Sequence, residues 1–238
     1  MESVKATAWD RQYEEQRGIR WWPSEELIRF IGRTFGSFQK DHRHEFEILD
    51  IGCGAGGNSR FLLEEGFSVV AIDSSQAAVD LATVMLTDPP RQAPLQQTAQ
   101  IQLGSVLNLS SEWANRMAGI IDIQTIQHLT YQQHCQAYQE LFVALKPGGF
   151  FFSIHMHEQH WDAKYGGGNR IDEYTVDNCS DEVSLFPNNG ITCFLPAHAM
   201  KNLLLTSGFI VESIETFMRT YKQRTREARY LVTVATKE

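Results

Sequence analysis

The sequence predicts an α/β fold built on a mostly parallel sheet, and three observations carry that prediction. Short β-type runs alternate with helix-period segments from Phe46 onward. The first of these runs, "FEILDI", breaks abruptly into the glycine-rich "GCGAGG" before a helical pattern begins. Further along, "GIIDIQT" has an almost unbroken apolar start, the mark of a strand covered on both faces.

The elements follow in order. Pro23-Ser24 opens a helix with Leu27, Ile28, Ile31 and Phe35 along one side, Ser24 as its N-cap, and Glu25 and Glu26 at its positive end. After "FEILDI", residues 57–65 read as a helix closed by Gly66, whose missing side chain suits a left-handed cap. "SVVAID" is the second strand. Ala78, Leu81, Ala82 and Met85 then share one helix face until Asp88-Pro89-Pro90 stops it, and "RQAPLQQT" is loop. "AQIQLGS" and "GIIDIQT" are the third and fourth strands. Tyr131, Cys135, Tyr138, Phe142 and Leu145 mark a helix stripe, ended by the turn "KPGG". "FFFSIH" is the fifth strand. Residues 156–195 are irregular and rich in Gly, Asn and Asp, a length that in a compact domain points to function. "AHAMKNLLLTSG" is a helix with a glycine stop, and "FIVESIETFMRTY" with "EARYLVTVATK" forms an antiparallel hairpin.

At 238 residues one substantial domain is expected. A net charge of −8 and a pI near 5.5 offer no general attraction to phosphate backbones or anionic membranes, so neither a nucleic acid nor a membrane is an expected partner. The first residues hold no apolar leader, and no run approaches the roughly 20 apolar residues of a membrane span; a cytoplasmic location follows. Cys53, Cys135, Cys179 and Cys193 show neither C-x-x-C pairing nor a disulfide framework and read as reduced.

Gly52, Gly54 and Gly57 satisfy the G-x-G-x-x-G spacing, which lets the chain approach a ligand closely at a helix start. Dinucleotides place a pyrophosphate there. Asp50, two residues ahead, opposes such an anion and suits a ligand with a cationic end. Asp73, ending the second strand, can accept hydrogen bonds from both hydroxyls of a ribose, a role that adenosyl ligands and NAD share. Cys53, inside the turn, reads as a small side chain fitting beside the backbone, without a catalytic role.

The segments "ILDIGCGAGG", "VVAIDSS", "IIDIQTIQHL" and "LKPGGFFFS", in this order, resemble the class I S-adenosylmethionine-dependent methyltransferases, over about Phe46 to His155. The resemblance implies their Rossmann-like fold, a seven-stranded mostly parallel sheet with one antiparallel strand and helices on both faces. It also implies that Asp50, Gly52, Cys53 and Gly54 surround the methionine moiety, Asp73 the ribose, and Ser74 the adenosine. Ser105 falls where such enzymes usually carry an acid toward the adenine amino group; Val106 would add a backbone contact and apolar packing. Gln124 and Thr125 match positions on the sulfonium side. Both chain ends resemble a narrower group associated with sugars or polysaccharide precursors. By that analogy Trp9, Tyr13, Trp21 and Trp22 belong to a lid, with Tyr13 and Trp22 reaching the cofactor; alternatively, these aromatics only pack the first helix onto the sheet. The expected layout is a single methyltransferase domain: an N-terminal helical lid over 1–40, a cofactor-binding core over 41–155, a substrate-side insertion over 156–195, and a C-terminal helix and β-hairpin over 196–238.

The implied reaction moves a methyl group from S-adenosylmethionine to a small polar acceptor, leaving S-adenosylhomocysteine. A sugar-like oxygen is the leading acceptor, and nitrogen the second. A non-catalytic adenosyl-binding module and, on the bare glycine spacing, an NAD-dependent oxidoreductase are the alternatives. A hydroxyl nucleophile must lose its proton, which suits histidine. His155 and His128 are the candidate bases because they stand near strand ends; His157 and His160 also follow a strand. The H-x-H-x-x-H spacing of His155, His157 and His160 matches no established zinc pattern, so no metal is expected. Arg219, Lys222, Arg224, Arg226 and Arg229 either hold an anionic group of the acceptor or guard an exposed strand edge. Asp172, Glu173 and Asp177 either bind an amine or sugar hydroxyls or are solvated loop acids.

Overall fold

The computed structural model describes residues 8–15, 19–87, 98–180, 182–187 and 189–238. The expected proline stop at 88–90 and most of the loop after it lie outside these residues. The chain divides into two compact units, one of residues up to 105 with 116–121, the other of 106–115 with 122–238.

The first unit holds α1 (Ala8–Glu14), α2 (Glu25–Phe35), β1 (Glu47–Ile51), α3 (Gly57–Glu64), β2 (Ser68–Asp73), α4 (Gln76–Thr87), β3 (Ala99–Leu103) and most of β4 (Met117–Ile123). Strand β2 pairs in parallel with β1 on one side and β3 on the other. Every residue of β2 is buried, as a parallel strand with covered faces requires. Leu27 and Ile31 of α2 are buried with Phe35, whose ring meets Phe67 edge-on at 5.0 Å. Each such side chain contributes roughly 2–3 kcal/mol on leaving water. Ile28 is instead 43% exposed and Phe30 takes its place inside, so the buried stripe is rotated from the one expected. Ser24 stands at the N-cap without capping through its side chain; its backbone N–H donates to Asn58 Oδ1 at 2.9 Å. The buried Arg43 donates from its guanidinium to Phe35 O, the last carbonyl of α2, at 2.7 Å and to Phe38 O beyond the helix at 3.1 Å.

The second unit holds α5 (Tyr131–Ala144), β5 (Leu145–Met156), α6 (Trp161–Tyr165), β6 (Asn169–Arg170), β7 (Thr175–Asp177), β8 (Ile191–Cys193), α7 (Ala197–Thr206), β9 (Ile210–Tyr221) and β10 (Arg226–Thr236). A capping box between Thr130 and Gln133 starts α5. Its buried residues are His134, Ala137, Tyr138, Leu141 and Ala144, not the expected stripe, in which Cys135 is exposed. The "KPGG" segment does not turn away: β5 begins at Leu145 and runs through it, with Gly148 N–H donating to Lys237 O at 2.7 Å. The stretch 156–195 is likewise more ordered than expected, containing α6 and the small sheet β6-β7-β8. Strand β10 runs antiparallel to both β5 and β9, and Lys222, Gln223 and Arg224 turn the hairpin at positive φ.

Strand order is β3-β2-β1-β4-β5-β10-β9, the seven-stranded, mostly parallel arrangement with one antiparallel strand that the resemblance implied.

Candidate active site

In the first unit the loop after β1 climbs through three left-handed glycines, Gly52 (φ 62°), Gly54 (φ 55°) and Gly56 (φ 88°), angles that side chains strain to adopt. Two buried carboxylates flank it. Asp50 accepts a hydrogen bond from Ser59 Oγ at 2.5 Å, and Asp73 accepts one from Gly54 N–H to Oδ2 and one from Ser75 N–H to Oδ1, both at 2.9 Å. The end of β2 thereby clamps the glycine turn that follows β1. Burial raises the Asp73 pKa above the ordinary carboxylate range, and the backbone donors of Ser75, Gly54 and Ser74 oppose that rise. Ser75 Oγ in turn donates to Asp10 of α1 at 2.5 Å.

Tyr13 of α1 lies against the loop, so close that a Cβ on Gly54 would stand 2.7 Å from its hydroxyl. Burial, then the nearby Asp73, pushes its phenol pKa above the usual range. Trp9 meets Tyr13 at 6.4 Å between ring centroids. The backbone at Arg20 and Trp21 crosses the start of α3, where a Cβ on Gly57 would meet Arg20 O at 2.7 Å. The side chains there do not pack: Trp22 is 84% exposed and Trp21 48%. Neither a closed lid nor packing of the first helix describes Trp22. Cys53 is buried, and burial raises its thiol pKa well above the ordinary range, consistent with a space-filling role. Ser74 and Ser105 are exposed.

In the second unit, Val106 is buried and Gln124 stands at φ 65° just after β4, its N–H donating to Ile154 O at 2.9 Å. The turn Gln124-Thr125 is held by Asp122, a residue sequence reading passed over. Asp122 is fully buried; Oδ1 accepts from Thr125 N–H at 3.0 Å and Ile126 N–H at 3.1 Å, and Oδ2 from Ser153 Oγ at 2.8 Å. Burial pushes its pKa up to about 6 against the pull of these donors. The available signal was a lone acid inside an apolar strand.

His128 is half-buried; its Nδ1 lies 3.0 Å from Ile191 O, and its Nε2 lies 3.2 Å from Gln127 Nε2. The carbonyl only accepts, so Nδ1 carries the hydrogen and Nε2 a lone pair. His155 differs. Its ring is fully buried, Nδ1 faces Met156 O at 2.9 Å, Nε2 faces His134 Nε2 at 3.0 Å, and burial drives its pKa well below the ordinary histidine value. Fully buried, with Nδ1 donating to Met156 O and Nε2 turned to His134, His155 is sealed from a substrate proton, against the expected catalytic role. His157 and His160 act as caps, their Nδ1 atoms accepting from Gln159 N–H and Asp162 N–H. Arg226 donates to Val183 O at 2.8 Å and Arg229 to Gln159 Oε1 at 3.0 Å, which ties these two cations to the fold. Asp172 accepts from Tyr131 N–H at the start of α5 and from Tyr174 N–H.

Residues 48–149 match the family model described as a methyltransferase domain. A S-adenosylmethionine-dependent methyltransferase from Methanosarcina mazei is 20% identical, with a TM-score of 0.70 over 90% of this chain and 98% of that one. The 1,6-didemethyltoxoflavin-N1-methyltransferase of Burkholderia thailandensis, solved with its acceptor and S-adenosylhomocysteine, is 15% identical, with a TM-score of 0.64 over 95% and 84%. Magnesium protoporphyrin IX methyltransferase from Synechocystis, solved with S-adenosylmethionine, is 11% identical, with a TM-score of 0.57 over 97% and 80%. No curated protein matches the chain.

Residues 48–149 therefore match a methyltransferase domain, and the chain shares the fold of S-adenosylmethionine-dependent methyltransferases. Two of these neighbours of the same fold were solved with S-adenosylhomocysteine or S-adenosylmethionine bound.

Proposed function

We propose that the acceptor is a small polar molecule, methylated on oxygen in preference to nitrogen, with a sugar-like hydroxyl as the leading candidate. The carrying observation is His128, a half-buried ring whose Nδ1–H donates to Ile191 O and whose Nε2 lone pair accepts from the Gln127 amide at 3.2 Å, a side-chain donor that an acceptor hydroxyl would replace. That tautomer suits removal of a hydroxyl proton. The Burkholderia enzyme's small-molecule acceptor supports the size class. Four free cysteines fit a reducing compartment such as the cytoplasm.

The donor set fits S-adenosylmethionine, which supplies the electrophilic methyl group when bound. It contains two buried carboxylates, Asp50 and Asp73, that suit an ammonium group and ribose hydroxyls. Asp50, with the backbone of Gly52, Cys53 and Gly54, would hold the methionine end; Asp73 would accept from the ribose hydroxyls. Ser74, Ser105 and Val106 would border the adenosine, and Gln124 and Thr125 the sulfonium. Tyr13 would cover the turn and exclude water. His128 Nε2 would take the acceptor proton while Ile191 O fixes the ring.

Calorimetric titration with S-adenosylhomocysteine and, separately, NAD tests the ligand: binding of the first alone is expected, and binding of NAD alone would sink the reading. For the base, methyl transfer is followed on whichever member of a panel of sugars, phenols and amines is labelled. His128→Gln should lower kcat by roughly 10²–10⁴-fold and flatten its rise with pH, with S-adenosylhomocysteine affinity intact. Unchanged kcat and pH profile would remove His128 from the mechanism.

A further inference from the structure

Away from the glycine turn, the second unit buries two histidines and a cysteine against one another. His134 comes from α5, His155 from β5 and Cys193 from β8, and all three are fully buried. His134 Nδ1 lies 2.8 Å from Thr130 O, and His155 Nδ1 lies 2.9 Å from Met156 O. A carbonyl oxygen can only accept, so each Nδ1 carries its ring's hydrogen. A neutral imidazole has one hydrogen, so both Nε2 atoms are bare, and they face each other at 3.0 Å. Two lone pairs therefore meet at hydrogen-bond distance with no hydrogen between them.

Such a contact needs an electron-pair acceptor. A shared proton would serve the two nitrogens but would leave the Cys193 sulfur out of the contact. A metal ion serves better, because a third donor is already present. The ligand atoms of His134, His155 and Cys193 all lie within 4.8 Å of one another, the one such group among the described residues. Metal-binding histidines are commonly oriented by donating the other ring N–H to a backbone carbonyl, and both rings here do so.

We propose that His134 Nε2, His155 Nε2 and the Cys193 thiolate bind a zinc-like divalent ion, with a fourth position left to a small ligand. Zinc takes nitrogen at about 2.0–2.1 Å and thiolate sulfur at about 2.3 Å. Tetrahedral angles then put the two nitrogens about 3.3 Å apart, so the rings need separate by only a few tenths of an ångström. On binding, the sulfur–hydrogen bond of Cys193 breaks, a sulfur–metal bond forms and one proton leaves to buffer, with no change of oxidation state. The ion would join α5, β5 and β8, elements brought together from positions 134, 155 and 193. This departs from the sequence expectation of no metal. The H-x-H-x-x-H run that raised the question contributes one ligand, and its other two histidines cap turns.

The full chain, stripped with chelator, is dialysed against Co²⁺ or Zn²⁺. The expected results are retention of about one equivalent, a thiolate-to-cobalt charge-transfer band, and a thermal midpoint several degrees above the stripped protein. Cys193→Ser should abolish the band, while Cys135→Ser, at an exposed cysteine, should leave it. His134→Gln should weaken retention at least tenfold. Failure of the wild-type protein to retain metal overturns the proposal whatever the variants do. So does a charge-transfer band that persists in a folded Cys193→Ser protein.

Discussion

Asp73→Ala is expected to lower affinity for S-adenosylhomocysteine by roughly 10²–10³-fold, the largest ligand-binding effect anticipated from one substitution. The proposed ribose hydroxyls lose a charged acceptor, and hydrogen bonds to charged groups contribute about 1.5–3 kcal/mol each. The turn suffers as well, because Gly54 N–H and Ser75 N–H lose the oxygens they now reach at 2.9 Å. Asp73→Asn separates the two effects. One amide oxygen can keep one backbone donor, so the asparagine variant should hold more of the fold than of the affinity. Calorimetry measures the binding and circular dichroism the folding. A folded Asp73→Ala protein with wild-type affinity would take Asp73 out of the site.

Asp122 should contribute a pH dependence of stability opposite in sign to that of the buried histidines His134, His155 and His160. Its folded pKa is raised from the ordinary 3.8 to about 6, so the folded state binds its proton more tightly than the unfolded state. The stability this group contributes is full below about pH 4 and is lost as pH rises through about 6. The elevation corresponds to roughly 3 kcal/mol. Asp122→Asn keeps an oxygen for Thr125 N–H and Ile126 N–H, and its amide can donate to Ser153 Oγ. That variant should therefore be at least as stable as wild type above pH 7, its stability relative to wild type growing as pH rises from about 4 to 6. Asp122→Ala leaves the three donors without this partner and should cost about 2–4 kcal/mol, several degrees in Tm. Thermal unfolding across pH decides the matter: superimposable wild-type and asparagine profiles would show that burial of the Asp122 charge does not govern stability.

Legibility from sequence followed the distance over which a signal had to act. The glycine turn could be read because its positive φ angles and Asp50 lie within seven consecutive residues. Strand β2 could be read because uninterrupted apolar sequence and burial on both faces are one statement. The stripe of α5 was misplaced, since Tyr131, Cys135, Tyr138 and Phe142 form as regular an apolar row as the buried one. Periodicity locates a helix face only to within about one position. What selects the row is the material opposite, such as His155, whose ring meets His134 at 5.2 Å. The extension of β5 through Pro147 and Gly148 escaped for a related reason. Turn chemistry is local, whereas Gly148 is held in place by Lys237 O from the far end of the chain.

The sequence by itself determined the order of strands and helices from β1 to β5 and from α7 to β10, the left-handed turn after β1, and the two carboxylates beside it, because backbone freedom and periodicity are properties of neighbouring residues. Tertiary structure alone decided that His155 is a sealed ring rather than a base, that Asp122 holds the turn at Thr125, and that His134, His155 and Cys193 meet. Those outcomes depend on burial and on contacts between residues up to 59 positions apart, from 134 to 193, and such pairings come into being only when the elements pack.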